Sequence, residues 1–224
     1  MDVTVFADPV VFSLGSIPVT RATLIAYAVS TGLVLAALVL RQAVRQRPGT
    51  YLAVLAELAV EWPEQLVTDI VGRPIAWLAV FTGTIFYFLA ACSVAGQLPG
   101  VRTPTSNLAV TSALAVMVFL TVPAAGIRSQ GVKGYLHHYL TPSPLMMPLE
   151  LMSELSRTFA LSVRLFGNML SGYLIVALIV ALVGVLVPMP LMALDLLIGL
   201  LQAYIFAVLS TVYIGAALRV QEKS

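Results

Sequence analysis

Long runs of apolar residues recur along this chain, and they constrain its fold more than any other feature. Of the 224 residues, 60% are hydrophobic and 10% are charged, whereas soluble domains carry about 25% charged residues. An apolar segment of about 20 residues is long enough to cross a bilayer as a helix. The predicted fold class is therefore an all-α integral membrane protein with about five transmembrane helices.

The first half of the chain supplies three predicted spans and one surface helix. Residues 1–21 are expected to be extracytoplasmic. They are also expected to belong to the mature chain, because a signal peptide would carry a basic residue before its first apolar run and this segment does not. The further elements are a span at 22–40, an interfacial helix at 51–72, and a hairpin of spans at 75–94 and 108–125. The interfacial assignment follows from the acidic residues that recur in that segment and from Pro63 in its middle.

The C-terminal block predicts a long helical hairpin. Residues 149–187 contain no proline, and a single helix over them would be about 58 Å long. Because the hydrocarbon core is only about 30 Å thick, that helix must be tilted or run along the interface before it inserts. Pro188 and Pro190 are expected to end it, and residues 191–218 form a last helix of about 42 Å.

The basic residues predict the orientation of the five spans. Lys and Arg near spans stay on the cytoplasmic side, and an extracytoplasmic N-terminus places most of them there. Only Arg21 and Arg102 then lie outside. The same topology places the C-terminus in the cytoplasm.

Two polar seams run along the C-terminal hairpin. At about 100° per residue, one face of the 149–187 helix carries the first seam, which consists of Glu150, Glu154, Arg157, Arg164, Asn168 and Ser171. The last helix carries the second seam, which consists of Asp195, Gln202 and Tyr213. Polar faces of this kind can line aqueous paths through a membrane.

Simpler interpretations of these residues remain open. Arg164, Arg157 or Glu150 can lie near a helix end and extend its charged head to the interface. Asp195 lies early in its helix, where a carboxylate complements the helix dipole. Gln202 can hydrogen-bond to a neighbouring helix.

Four other residues carry no predicted chemistry. Asn107 is interpreted as the N-cap of the third span, and Cys92 as a core residue, since a lone cysteine excludes an intramolecular disulfide. His137 and His138 are adjacent in a predicted cytoplasmic loop, so they cannot share one helix face as metal ligands. We expect no metal and no cofactor, and a net charge of +2 does not indicate nucleic-acid binding.

Two motifs resemble a known family. PLELMSELSRTFALSVRLFGNMLSGYLI, followed by LLQAYIFAVLSTVYIGAAL, is similar to the two C-terminal helices of subunit a of F-type ATP synthase. The resemblance is most specific over residues 148–218, and PTSNLAVTSALA is similar to the segment that enters the preceding span. It implies a non-catalytic stator subunit that forms two ion half-channels and couples proton or sodium translocation to ATP synthesis or hydrolysis.

The resemblance also implies roles and partners. Arg164 would be the essential arginine, facing the ion-binding carboxylates of the rotor c-ring. The supporting polar positions would be Glu150, Arg157, Asn168, Gln202 and Tyr213. The other implied partners are b-type subunits of the peripheral stalk, the F1 sector indirectly and the lipid bilayer, and the implied location is the bacterial inner membrane.

One position departs from the family pattern. Many members carry Glu or His where this chain has Tyr173. Asp195 matches a position where other members place His or Glu, so it would supply the titratable group alone. The exchange suits a divergent branch of the family, such as the sodium-associated N-type ATPases.

Two alternatives belong to other functional classes. An independent ion channel or secondary transporter would use Arg164 in its own site, although the chain shows no internal repeat of the kind found in many transporters. A membrane scaffold would use the polar seams only to bind neighbouring helices.

Overall fold

The computed structural model describes residues 10–14, 17–46, 49–98, 103–140, 146–184 and 189–219. A short antiparallel ribbon of β1 (Val10–Leu14) and β2 (Ile17–Thr20) precedes the helices. The helices are α1 (Arg21–Gln46), α2 (Tyr51–Val71), α3 (Ala76–Ala95), α4 (Leu108–Leu140), α5 (Met146–Val183) and α6 (Met189–Arg219), with a 3₁₀ turn at Pro104–Ser106. Within the described ranges, five helices are long and apolar enough to cross a membrane, which confirms the predicted fold class.

Helix α2 packs against α3 around an internal proline. Pro63 has no N–H to donate to the carbonyl of Ala59, one turn earlier. The Tyr87 hydroxyl donates to that carbonyl instead, at 2.8 Å. The Pro63 ring is seated against Gly83, its Cγ 2.9 Å from where a Cβ at that position would be. The proline is therefore compensated by its neighbour, while the predicted interfacial position of α2 remains a prediction.

Helix α4 is longer than the predicted span. Asn107 caps it as predicted, since its Oδ1 accepts a hydrogen bond of 2.8 Å from the Ala109 N–H. Beyond residue 125 the helix continues to Leu140, with a kink at Gly131 (φ 72°, ψ 163°). The loop predicted around His137 and His138 is therefore wrong, because the glycine redirects the helix rather than ending it. The side chains of these histidines lie outside the described residues.

Helix α5 forms the long element that the sequence predicts. Its 38 residues correspond to about 57 Å. It stops at Gly184, which has φ 86° and whose N–H donates to Val180 O at 3.1 Å. A left-handed glycine of this kind is a common helix end. The predicted boundary at 187 lies in 185–188, outside the described residues.

Two hydrophobic clusters hold α2 to α6 together. The end core consists of Val67, Val71, Leu78, Ala79, Val122, Ala125, Ile214 and Leu218. The central core consists of Ile85, Leu89, Val118, Leu161, Leu165, Met169, Ala203 and Phe206. Helices α3 and α6 are antiparallel, because Thr82 contacts Thr211 through hydroxyl oxygens 2.6 Å apart while Ser93 lies against Gly199.

Candidate functional site

Three contacts fix the register of α5 against α6. They pair Gly172 with Asp195, Met169 with Gly199, and Arg157 with Tyr213. Arg164 lies between the second and third contacts on α5, and Gln202 lies between them on α6. In the antiparallel hairpin, Arg164 and Gln202 therefore lie at nearly the same height along the helix axes. Asp195 lies at the height of Gly172, about 12 Å from that of Arg164 along the axis.

Arg164 points away from the rest of the chain. Its side chain is exposed, and within the described residues it has no hydrogen-bond or ion-pair partner. The outward face of α5 around it, called the arginine face below, consists of the exposed residues Arg157, Ala160, Arg164, Gly167 and Ser171. A charge that faces lipid from the middle of a span costs about 3 kcal/mol on insertion scales. The arginine face therefore requires a polar surface outside this chain.

The Asp195 carboxylate occupies a space that glycine provides. One carboxyl oxygen of Asp195 overlaps the position that a Cβ at Gly172 would take, and the carboxyl carbon lies 2.6 Å from it. The Gln97 side chain hydrogen-bonds the same carboxylate from the α3–α4 connection. Asp195 is half-buried and is held between three separate segments of the chain.

The segment that carries Gln97 is tied to the bundle. The Gly96 N–H donates to Cys92 O at 3.0 Å, and the Gln97 N–H donates to Val94 O at 3.1 Å. The Thr103 hydroxyl packs against Gly96, where any larger residue would place its Cβ. Thr105 is buried, and its hydroxyl has no hydrogen-bond partner among the described residues. Polar groups thus gather at the end of the bundle that contains Asp195.

Gln202 places its side-chain amide in the interior of the bundle. Its side chain is 5% exposed, and its Nε2 has no acceptor within the part of the chain that the structure describes. A buried donor without a partner costs about 1–3 kcal/mol. Water or a partner group at this level would satisfy it, so the position suits a hydrated path.

Arg157 and Tyr213 form the third contact of the hairpin. The Arg157 guanidinium carbon lies 5.7 Å from the centroid of the Tyr213 ring, within the range of a cation–π interaction. Asn168 is half-buried one turn beyond Arg164. Glu150 belongs to α5, but its side chain lies outside the described residues.

The structure brings together only some of the predicted residues. Arg157 meets Tyr213 directly, whereas Asp195 meets Gly172 and Gln97, which sequence reasoning did not select. A glycine inside an otherwise regular helix was the available signal for Gly172. Gln97 carried no signal, because its contact depends on how the α3–α4 connection folds back.

Known proteins are similar to this chain over the helices that carry the candidate site. The family described as ATP synthase A chain matches residues 22–215. The protein named ATP synthase subunit a 2 of Bradyrhizobium sp. is 40% identical over 206 residues, 92% of each chain. ATP synthase subunit a of Legionella pneumophila is 34% identical over 212 residues, 94% of this chain and 92% of the relative. ATP synthase subunit a of Albidiferax ferrireducens is 43% identical over 165 residues, 74% and 71% of the two chains.

Proposed function

This chain belongs to the ATP synthase A chain family, and from that premise we propose that it forms the two ion half-channels beside the rotor ring. The resemblance read from its motifs is confirmed. The protein is the stator subunit a of the membrane sector Fo, a multi-pass membrane protein that takes part in proton translocation.

The outward position of Arg164 is the observation that carries the proposed mechanism. A guanidinium keeps its charge under all physiological conditions. Facing a rotor carboxylate, it stabilises the ionised form and so promotes release of the bound proton. The same fixed charge blocks a direct proton path between the two half-channels. The small neighbours Ala160, Gly167 and Ser171 leave room for a rotor helix to approach.

Asp195 supplies the titratable group of one half-channel. Its carboxylate lies beside Gly172 and Gln97, at the end of the bundle that also contains the buried Thr105. A carboxylate in this position can pass a proton between water in the polar end and the rotor. The membrane potential contributes about 2.3 kcal/mol per charge per 100 mV to that transfer. Tyr173 carries no carboxyl group, so Asp195 performs this role alone.

The other half-channel begins on the far side of Arg164. Arg157, held over Tyr213, lies along this part of the arginine face, and Glu150 lies closer to the start of α5. Gln202 and Asn168 lie near the level of Arg164, where their amides can hold water. Apart from Glu150, these groups are either uncharged or permanently charged. They therefore line the ion path and do not themselves bind the proton.

The proposed topology follows the basic residues. The chain lies in a bacterial inner membrane, with its N-terminus on the extracytoplasmic side and its C-terminus in the cytoplasm. The arginine face contacts the c-ring, the peripheral stalk contributes b-type subunits, and the F1 sector is reached indirectly.

The test is ATP-driven acidification of inverted membrane vesicles that contain an Arg164→Ala complex. We expect pumping to be abolished while F1 remains bound, and Arg164→Lys to restore little of it, because an ammonium lacks the guanidinium fork. Arg45→Ala, which removes an exposed arginine from α1, should pump normally.

Normal pumping by Arg164→Ala would contradict the mechanism. Ion flux through the purified chain without the ATPase would favour the channel or transporter alternative. Loss of assembly in every charge-removing variant, without a specific transport defect, would favour the scaffold.

A further inference from the structure

A cavity of about 360 Å³ opens where α2 turns into α3. Two arginines from separate segments line it, Arg73 in the α2–α3 turn and Arg128 on α4. The other described lining residues are uncharged, and they are Pro74, Ile75, Trp77, Ala125 and Leu218. Two positive charges thus face one cavity with an apolar floor and, among these described residues, no acidic group.

The turn that carries Arg73 is held in place. Gly72 adopts φ 85° and its N–H donates to Thr68 O at 2.8 Å, which ends α2. Pro74 fixes the next backbone angle. On either side, Val71 and Leu78 are buried in the end core. The Arg73 backbone is therefore positioned before any ligand binds.

The cavity lies at a common boundary of three candidate spans. The span Ala76–Ala95 begins here, and the spans Leu108–Arg128 and Met189–Leu218 end here. Trp77 is 45% exposed in the first turn of α3, and tryptophan is enriched at the level of lipid headgroups. The cavity is therefore located where headgroups meet acyl chains.

We propose that this cavity binds the phosphate of an anionic phospholipid. Arg73 and Arg128 would donate to the phosphate oxygens, a geometry that guanidinium groups favour. The phosphate also relieves the repulsion between the two cations, and the acyl chains continue over Trp77 and the apolar floor. Basic pockets between spans are known lipid sites in general, and none of the described lining residues of this cavity is assigned above to the ion path.

A second cavity supplies an internal comparison. It measures about 1000 Å³ between α1 and α2, and it is also lined by two arginines, Arg41 and Arg45. Three exposed glutamates, Glu57, Glu61 and Glu64, line it as well. Because these carboxylates outnumber the arginines, this cavity disfavours an anionic headgroup.

The test uses the purified intact complex and photo-crosslinkable phosphatidylglycerol. Mass spectrometry should locate the labelled lipid on peptides that contain Arg73 or Arg128. The double variant Arg73→Gln/Arg128→Gln should lose this labelling by at least about tenfold, given the contribution of each basic residue to anionic lipid binding. Arg73→Lys/Arg128→Lys should keep most of the labelling. This variant distinguishes a loss of positive charge from a failure of the complex to fold. The control pair Arg41→Gln/Arg45→Gln should leave it unchanged.

Three results would overturn the proposal. The first is equal labelling by the matching phosphatidylcholine probe, and the second is unchanged labelling in the Arg73→Gln/Arg128→Gln complex. The third is complete displacement by millimolar inorganic phosphate, which would identify a site for free phosphate. Binding is measured without turnover, so this outcome is independent of the Arg164 experiments.

Discussion

Substitution of Gly172 by alanine isolates the positioning of Asp195. The Asp195 carboxyl carbon is 2.6 Å from the position of the new Cβ, whereas carbon contacts are comfortable from about 3.5 Å. The carboxyl group must therefore move by roughly 1 Å and loses its hydrogen-bond geometry with Gln97. A displacement of about 1 Å can reduce the rate of a positioned reaction about a hundredfold. We expect Gly172→Ala to lower ATP-driven proton pumping by about ten- to a hundredfold while the complex still assembles.

A matched control separates this effect from helix stability. Gly32 in α1 has no atom within 4 Å of its added Cβ. Replacing a glycine inside a helix by alanine stabilises the helix by about 1 kcal/mol, so both variants favour their helices and only one displaces a carboxylate. The assay is acidification of inverted vesicles at equal F1 content. Normal pumping by Gly172→Ala, or an equal loss in Gly32→Ala, would refute the reasoning.

Two further perturbations address the same hairpin. Asp195→Asn keeps the shape of the side chain but removes the group that carries the proton, so pumping should fall at least about tenfold while the complex still assembles. Unchanged pumping over a wide pH range would show that Asp195 only complements the helix dipole. Tyr213→Phe keeps the aromatic ring under Arg157, whereas Tyr213→Leu removes it. Only the leucine variant should therefore lose about 0.5–1 kcal/mol of cation–π stabilisation, as measured by thermal unfolding of the complex. Equal losses of stability in the two variants would show that the hydroxyl group is responsible instead.

The helices could be predicted, as could the place of Arg164 within one of them, because both depend on local pattern. Apolar runs of sufficient length determine the spans, and the position of Arg164 within one follows from the order of residues alone. The stop at Gly184 and the kink at Gly131 were missed, because a glycine in an apolar run has no fixed effect until neighbouring segments select its backbone angle.

Contacts between distant segments could not be predicted in the same way. Gly172, Gln97 and Asp195 are separated along the chain, and only the register of α5 against α6 and the folded α3–α4 connection bring them together. The pairing of Tyr87 with the Ala59 carbonyl is a similar case. Pro63 indicated a broken hydrogen bond in α2, but the sequence did not indicate which side chain replaces it.

Cysteine cross-linking to the rotor tests most directly whether the arginine face contacts the c-ring. In a Cys92→Ser background, Ser171→Cys and Ala160→Cys place thiols on the arginine face, whereas Ser162→Cys places one on the buried side of α5, where Ser162 is 6% exposed. Paired with cysteines in the rotor helix, the first two should form disulfides with c subunits and the third should not. Cross-linking from Ser162→Cys alone, or from none of the three positions in an assembled complex, would contradict the account.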